Sequence, residues 1–215
     1  MRRFMAIPMA GLLALTLAGS ALAGPNVGNF SGSVDIAQGS WESYDEEKQA
    51  FQFGYAAVSR DPGTTQAFAE FNDYREEYVQ CTGANTPDDP EDDSFGAVGS
   101  NIWGYGPATL TIGKSNGSAT ASGTLEVMRE DFDGCTGEWT VQELADFDFS
   151  LTLAATSATI RETGRGSFHV PGEFNSHSSY KAVYRQAAGT FTGSDGPQSI
   201  SGMIGTVSWR DHSNG

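Results

Sequence analysis

The 215 residues include 12 basic and 27 acidic side chains, and removing a leader that holds Arg2 and Arg3 leaves ten against twenty-seven, a formal charge of −17. A surface of that sign excludes nucleic acid and anionic membranes as partners. Roughly 190 residues then remain, enough for one sizeable core, and 27 glycines suit bends and turns better than long helices.

The chain opens as a secretion signal. Arg2 and Arg3 precede an apolar run from Met9 to Leu17, and Ala21-Leu22-Ala23 is a small-x-small cleavage site, so residues 1–23 are expected to be removed after Ala23. The run is shorter than the roughly 20 apolar residues of a membrane-spanning helix, and no later segment approaches that length. A soluble bacterial protein, secreted or periplasmic, is the expectation, with residues 24–215 as a single β domain.

Period-two patterning dominates that domain. Apolar residues alternate with polar ones in Phe30, Val34 and Ile36, in Phe51, Phe53, Tyr55 and Ala57, in Ala119, Ala121, Leu125 and Val127, and from Ala145 through Phe147, Phe149, Leu151 and Leu153 to Ala155. Each is the signature of a strand with one buried and one wet face. The fold class expected is all-β, an antiparallel β-sandwich, with a closed β-barrel as the alternative.

Two segments are nearly the same, Arg75-Glu76-Glu77-Tyr78-Val79-Gln80-Cys81-Thr82-Gly83 and Arg129-Glu130-Asp131-Phe132-Asp133-Gly134-Cys135-Thr136-Gly137. They imply an internal repeat of two related modules, about residues 51–83 and 105–137. Asp61-Pro62-Gly63 and Ser115-Asn116-Gly117 sit at matched places and predict a hairpin in each. Further turns are expected at Glu162 to Gly166, at Pro171-Gly172 and at Ser194 to Pro197. Cys81 and Cys135 are the whole cysteine inventory, and in an exported chain they predict a disulfide. The acidic, proline-broken stretch from Asn85 to Ser94 reads as a surface loop.

No catalytic constellation stands out. Gly113-Lys114-Ser115-Asn116-Gly117 matches a nucleophile elbow by letters, but the elbow needs a helix after the serine, and here a strand pattern follows. Glu76, Glu77, Glu130 and Asp131 are the candidates for a carboxylate pair of the kind glycosidases use, against the simpler role of cross-strand pairing with Arg75 and Arg129. Asp131-Phe132-Asp133-Gly134 and the Asp88 to Asp93 cluster offer oxygens for weak calcium binding, and no other cofactor is implied. His169 and His177 flank the Pro171-Gly172 turn and could share a metal. Trp103-Gly104-Tyr105-Gly106 could present rings for a ligand to stack on, carbohydrate above all.

The elements Gly166-Ser167-Phe168-His169, Phe174-Asn175-Ser176-His177 and Tyr184-Arg185-Gln186-Ala187-Ala188-Gly189-Thr190 resemble those of uncharacterised secreted bacterial β-proteins. The resemblance covers the C-terminal quarter and implies export and a β fold, with no activity, ligand or site residue attached. The function expected from these readings is a non-enzymatic binding or accessory protein acting outside the cytoplasm. The alternative is a hydrolase of extracellular polysaccharide that uses paired carboxylates.

Overall fold

A computed structural model describes residues 28–81, 94–170 and 174–214. The signal read over residues 1–23, all but the last residue of the acidic loop 85–94, and the Pro171-Gly172 turn lie outside the described residues. The strands are β1 (Gly28–Asp45), β2 (Ala50–Arg60), β3 (Gln66–Cys81), β4 (Ser94–Ile112), β5 (Ser118–Asp133), β6 (Glu138–Glu143), β7 (Phe147–Ala155), β8 (Ile160–Val170), β9 (Phe174–Gly193) and β10 (Gly196–Asn214). They form one antiparallel sheet in the order β10-β1-β2-β3-β4-β5-β7-β9-β8, with β6 on β5 and a further β10–β9 pairing. The all-β antiparallel expectation holds. Among the described residues no helix is long and apolar enough to cross a membrane.

The described residues divide into two compact units, one of residues 32–81, 94–164 and 180–209, the other of residues 28–31, 165–170, 174–179 and 210–214. The larger contains the core. Trp41 of β1 stacks on Phe191 of β9 at 5.7 Å, Phe71 of β3 lies 5.2 Å from the same ring, and Phe71 meets Phe147 of β7 edge-on at 5.5 Å. β3 and β9 are far apart in the strand order, so their ring contact spans the core, as in a sandwich. Leu110, Leu125, Val127, Leu151, Leu153, Ile200 and Ile204 belong to the same cluster. Val34, Ile36 and Ala57, of opposite parity to Ala37 and Val58, are buried as well.

Both near-repeated segments form hairpins, β2 with β3 and β4 with β5. Their turns differ. Gly63 takes a positive φ of 85°, whereas in the second turn Ser115 and Asn116 are the left-handed residues, at 53° and 55°. Ser115 therefore belongs to a 3-10 turn from Lys114 to Asn116 that leads directly into β5, and no elbow exists there. The turn expected from Glu162 to Gly166 is instead continuous strand within β8. Gly164 serves another purpose, since a Cβ there would enter the Tyr180 ring.

Cys81 and Cys135 stand at disulfide distance, 5.3 Å between Cα atoms. Their sulfurs pass over Gly96 of β4, where any Cβ would meet both Sγ atoms at 2.8 and 2.9 Å. The bridge thus ties the end of β3 to the β5–β6 turn across the strand between them. Replacing both cysteines with alanine is expected to lower the unfolding free energy by roughly 4 kcal/mol in the chain-entropy model, measured as a fall in the urea midpoint with unchanged circular dichroism.

Candidate functional site

Strand parity sorts the side chains of β2 to β6 into two faces with different chemistry. The core-facing set runs through Ala69, Phe71 and Asp73 on β3 and through Leu125 and Val127 on β5. Beyond the apolar core it turns polar. Asp73, 4% exposed, accepts hydrogen bonds from Gln52 Nε2 at 2.9 Å and Arg75 Nε at 3.0 Å. Arg75 also reaches Asp195 in the β9–β10 turn. Arg129 binds Asp131 two residues along, at 2.7 Å.

The solvent-facing set is aromatic and acidic. In register across β2 to β6 the rows read Phe51, Glu76, Gly99, Phe132, Trp139; then Phe53, Tyr74, Asn101, Glu130, Val141; then Tyr55, Asn72, Trp103, Met128, Glu143; then, beside Ala57, which is buried, Glu70, Tyr105, Glu126. Neighbouring strands lie about 4.8 Å apart, so the rings form a lattice. Phe68, Tyr105 and Trp103 make one chain of stacked rings, 6.2 Å at each step. Tyr74, Phe132 and Trp139 make a second, at 5.8 and 5.5 Å. Phe132 reaches Tyr74 because Gly99 lies between them, and a Cβ there would meet the Phe132 ring at 2.9 Å. Between the chains, Asn72 Nδ2 donates to Asn101 Oδ1 at 2.7 Å.

Three of these rings are open to water, Phe68 at 46% exposed, Tyr105 at 45% and Trp139 at 63%, while Tyr74, Trp103 and Phe132 are half-buried. Glu70 and Glu126 beside Tyr105 are exposed too. Farther along, the outward positions of β5, β7 and β9 carry hydroxyls in register, Thr120 with Thr152 and Thr190, and Ser122 with Ser150 and Thr192.

The expected site residues scatter relative to this face. Trp103 and Tyr105 lie at its centre. Glu76 and Glu130 are on it, but two strand spacings apart and one side-chain repeat offset, roughly 12 Å by ordinary sheet geometry. Glu76 accepts a hydrogen bond from Tyr74 Oη at 2.5 Å. Asp131 belongs to the core-facing set with Arg129, and Glu77 is exposed on that same parity beyond the core. The cross-strand pairing expected of Arg75 and Arg129 is replaced by pairing along each strand, because residues i and i+2 share a face. In the other fragment, Asp133 accepts from the backbone N–H of Cys135 and Thr136, capping the turn rather than gathering with Asp131. Among the described residues no three His, Cys, Asp or Glu converge to hold a metal.

His177 lies in the smaller unit, in a cleft of about 560 Å³ lined by Arg165, Arg210 and His212 among others. The His169 side chain is outside the described residues. Sequence reasoning missed Phe68, Glu70, Asn72, Tyr74, Asn101 and Glu126 as members of one surface. The available signal was the Phe51-Phe53-Tyr55 alternation, read as a core face. The buried members of β2 are in fact Gly54, Ala56 and Val58, with Ala57.

Two tyrosines are held protonated. Burial, followed by the Glu76 hydrogen bond and charge, pushes Tyr74 up to about 12, and the hydrogen bond to Glu162, then burial, does the same for Tyr184. Burial and the charge of Glu70 raise Tyr55 as well. Comparison with protein-family models, curated proteins and solved structures found no match.

The sign of a pH effect follows. A phenol whose folded pKa lies above its unfolded value of about 10 adds stability that is complete below pH 10 and is lost as pH rises through about 12. Alkaline titration of tyrosinate absorbance should show Tyr74 ionising late, and Glu76→Ala should return it toward the ordinary range.

Proposed function

We propose that this is an exported, non-enzymatic binding protein whose ligand is a glycan lying on the outward face of β2 to β6. The observation that carries the reading is the ring chain of exposed Phe68, exposed Tyr105 and half-buried Trp103, set beside the Asn72–Asn101 amide pair. A sugar ring has an apolar face of C–H groups and an equator of hydroxyls. Stacked aromatic rings take the first, while amides and carboxylates at fixed positions take the second. A core already filled by Trp41, Phe71 and Phe191 leaves the outer rings without a packing role. Export is supported by the Cys81–Cys135 pair, which suits an oxidising compartment.

The geometry favours binding over hydrolysis. A glycosidase pair holds its carboxyl groups roughly 5 to 9.5 Å apart across a bound sugar. Glu76 is committed to Tyr74 and Glu130 stands diagonally two strands away, on a sheet face rather than across a groove.

The test is retention on a panel of neutral, amino and acidic polysaccharides, measured by affinity electrophoresis. The parent protein should be retarded by at least one member. Trp103→Ala with Tyr105→Ala should weaken that interaction about tenfold or more, at ~0.5–1.5 kcal/mol per stacked ring, while circular dichroism and the unfolding midpoint stay close to the parent. Retardation by no member of the panel, or undiminished binding by the double variant, would count against the proposal.

A further inference from the structure

We infer that the glycan bound by this face carries positive charge, as a polymer of amino sugars with free amines does; the inference rests on the reading of the face as a glycan surface. Glu42, Glu70, Glu76, Glu126, Glu130 and Glu143 all occupy outward positions of β1 to β6, and no described outward position of these strands holds Lys, Arg or His. Four aspartates of the same unit are treated differently. Asp35 pairs with Arg60, Asp73 and Asp195 with Arg75, and Asp131 with Arg129. Arginines are thus spent on the core-facing side, and the outward glutamates are left without a cation. Glu70 and Glu126 stand two strand spacings apart, roughly 10 Å by ordinary sheet geometry, comparable to the Debye length of roughly 8 Å at physiological salt, so at low salt their repulsion is only partly screened.

A bound cation would relieve that repulsion, and the arrangement selects its form. The carboxylates do not converge in threes, so they do not build a site for a single metal ion. They are spread across the lattice of rings and fit a ligand whose charges are also spread. Tyr105 stands directly between Glu70 and Glu126 in one row, each about one strand spacing away. An ammonium over that ring would meet the negative face of the π system with a carboxylate on either side. A chain of amino sugars supplies the repeated ammonium groups together with the C–H faces that the rings stack on.

The experiment compares a soluble glucosamine polymer bearing free amines with the same polymer fully N-acetylated, by calorimetry at low salt. The free-amine form should bind at least tenfold more tightly, and Glu70→Gln with Glu126→Gln should remove most of that difference by weakening the free-amine form far more than the acetylated one. Both substitutions are at exposed positions and conserve shape, and circular dichroism checks the fold. Equal binding of the two polymers, or binding of the acetylated form alone, overturns the charge inference and keeps the glycan reading. Tight binding of the free-amine form that the double variant does not weaken places the contact elsewhere and overturns it too. Binding of neither polymer overturns the charge inference, and the wider panel then decides the glycan reading.

Discussion

The stack of Trp41, Phe71 and Phe191 sets the terms for the rest of the larger unit. Three large rings from β1, β3 and β9 meet at 5.2 to 6.0 Å, and room for them exists only because the facing positions are small. A Cβ on Gly54 would land inside the Trp41 indole, and one on Gly39 would meet the Ile200 side chain. A few large rings against glycine and alanine thus fill the interior with side chains of one parity. The opposite parity, with its tyrosines, phenylalanines and tryptophans, is not needed to complete that core.

The same division governs charge. Arg75 and Asp131 occupy one cross-strand row on the core side, and Asp73 and Arg129 occupy the next. The order of signs alternates between neighbouring rows, and each arginine finds its partner two residues along its own strand. Asp35, with Arg60 and the Thr206 hydroxyl, forms a second polar cluster of low exposure. Ionic groups drawn inward in this way must be matched within the protein, because burial penalises a lone charge. The outward glutamates carry no such requirement in water. Fold and proposed function therefore meet in one arrangement, an inner face whose arginines and aspartates pair with each other and an outer face whose glutamates have no cation.

Much of the architecture was legible from local pattern. Alternation identified β7 and the core side of β5 correctly, because Phe149, Leu151, Leu153, Leu125 and Val127 are both apolar and inward. The two cysteines, alone in the chain, could pair only with each other. What could not be read is which face of β2 is buried, and that β1 buries Ala37 and Trp41 of the opposite parity as well as the expected Val34 and Ile36. Phe51, Phe53 and Tyr55 are the larger and more apolar set, yet Gly54, Ala56 and Val58 face the core, since the large rings of other strands demand small neighbours there. That is a tertiary constraint, invisible in a single strand. The candidate surface was half legible for the same reason. Trp103 and Tyr105 stood out beside their glycines, but their alignment with Asn72, Glu70 and Glu126 depends on a register set by β3–β4 and β4–β5 pairing. The Glu162 to Gly166 turn failed because a glycine that seats the Tyr180 ring looks, in sequence, like a glycine that reverses the chain.

The central claim, that the outer rings are a ligand surface and the inner rings are the core, can be read from four indole signals. In a ¹⁵N-labelled sample the N–H resonances of Trp41, Trp103, Trp139 and Trp209 are assigned by single substitution, and a short glucosamine oligomer with free amines is titrated in. The account predicts that Trp103 shifts in a saturable way, with Trp139 following, while Trp41 and Trp209 stay in place. Saturable movement confined to Trp41 or Trp209, or four unmoved signals at millimolar oligomer, would contradict it.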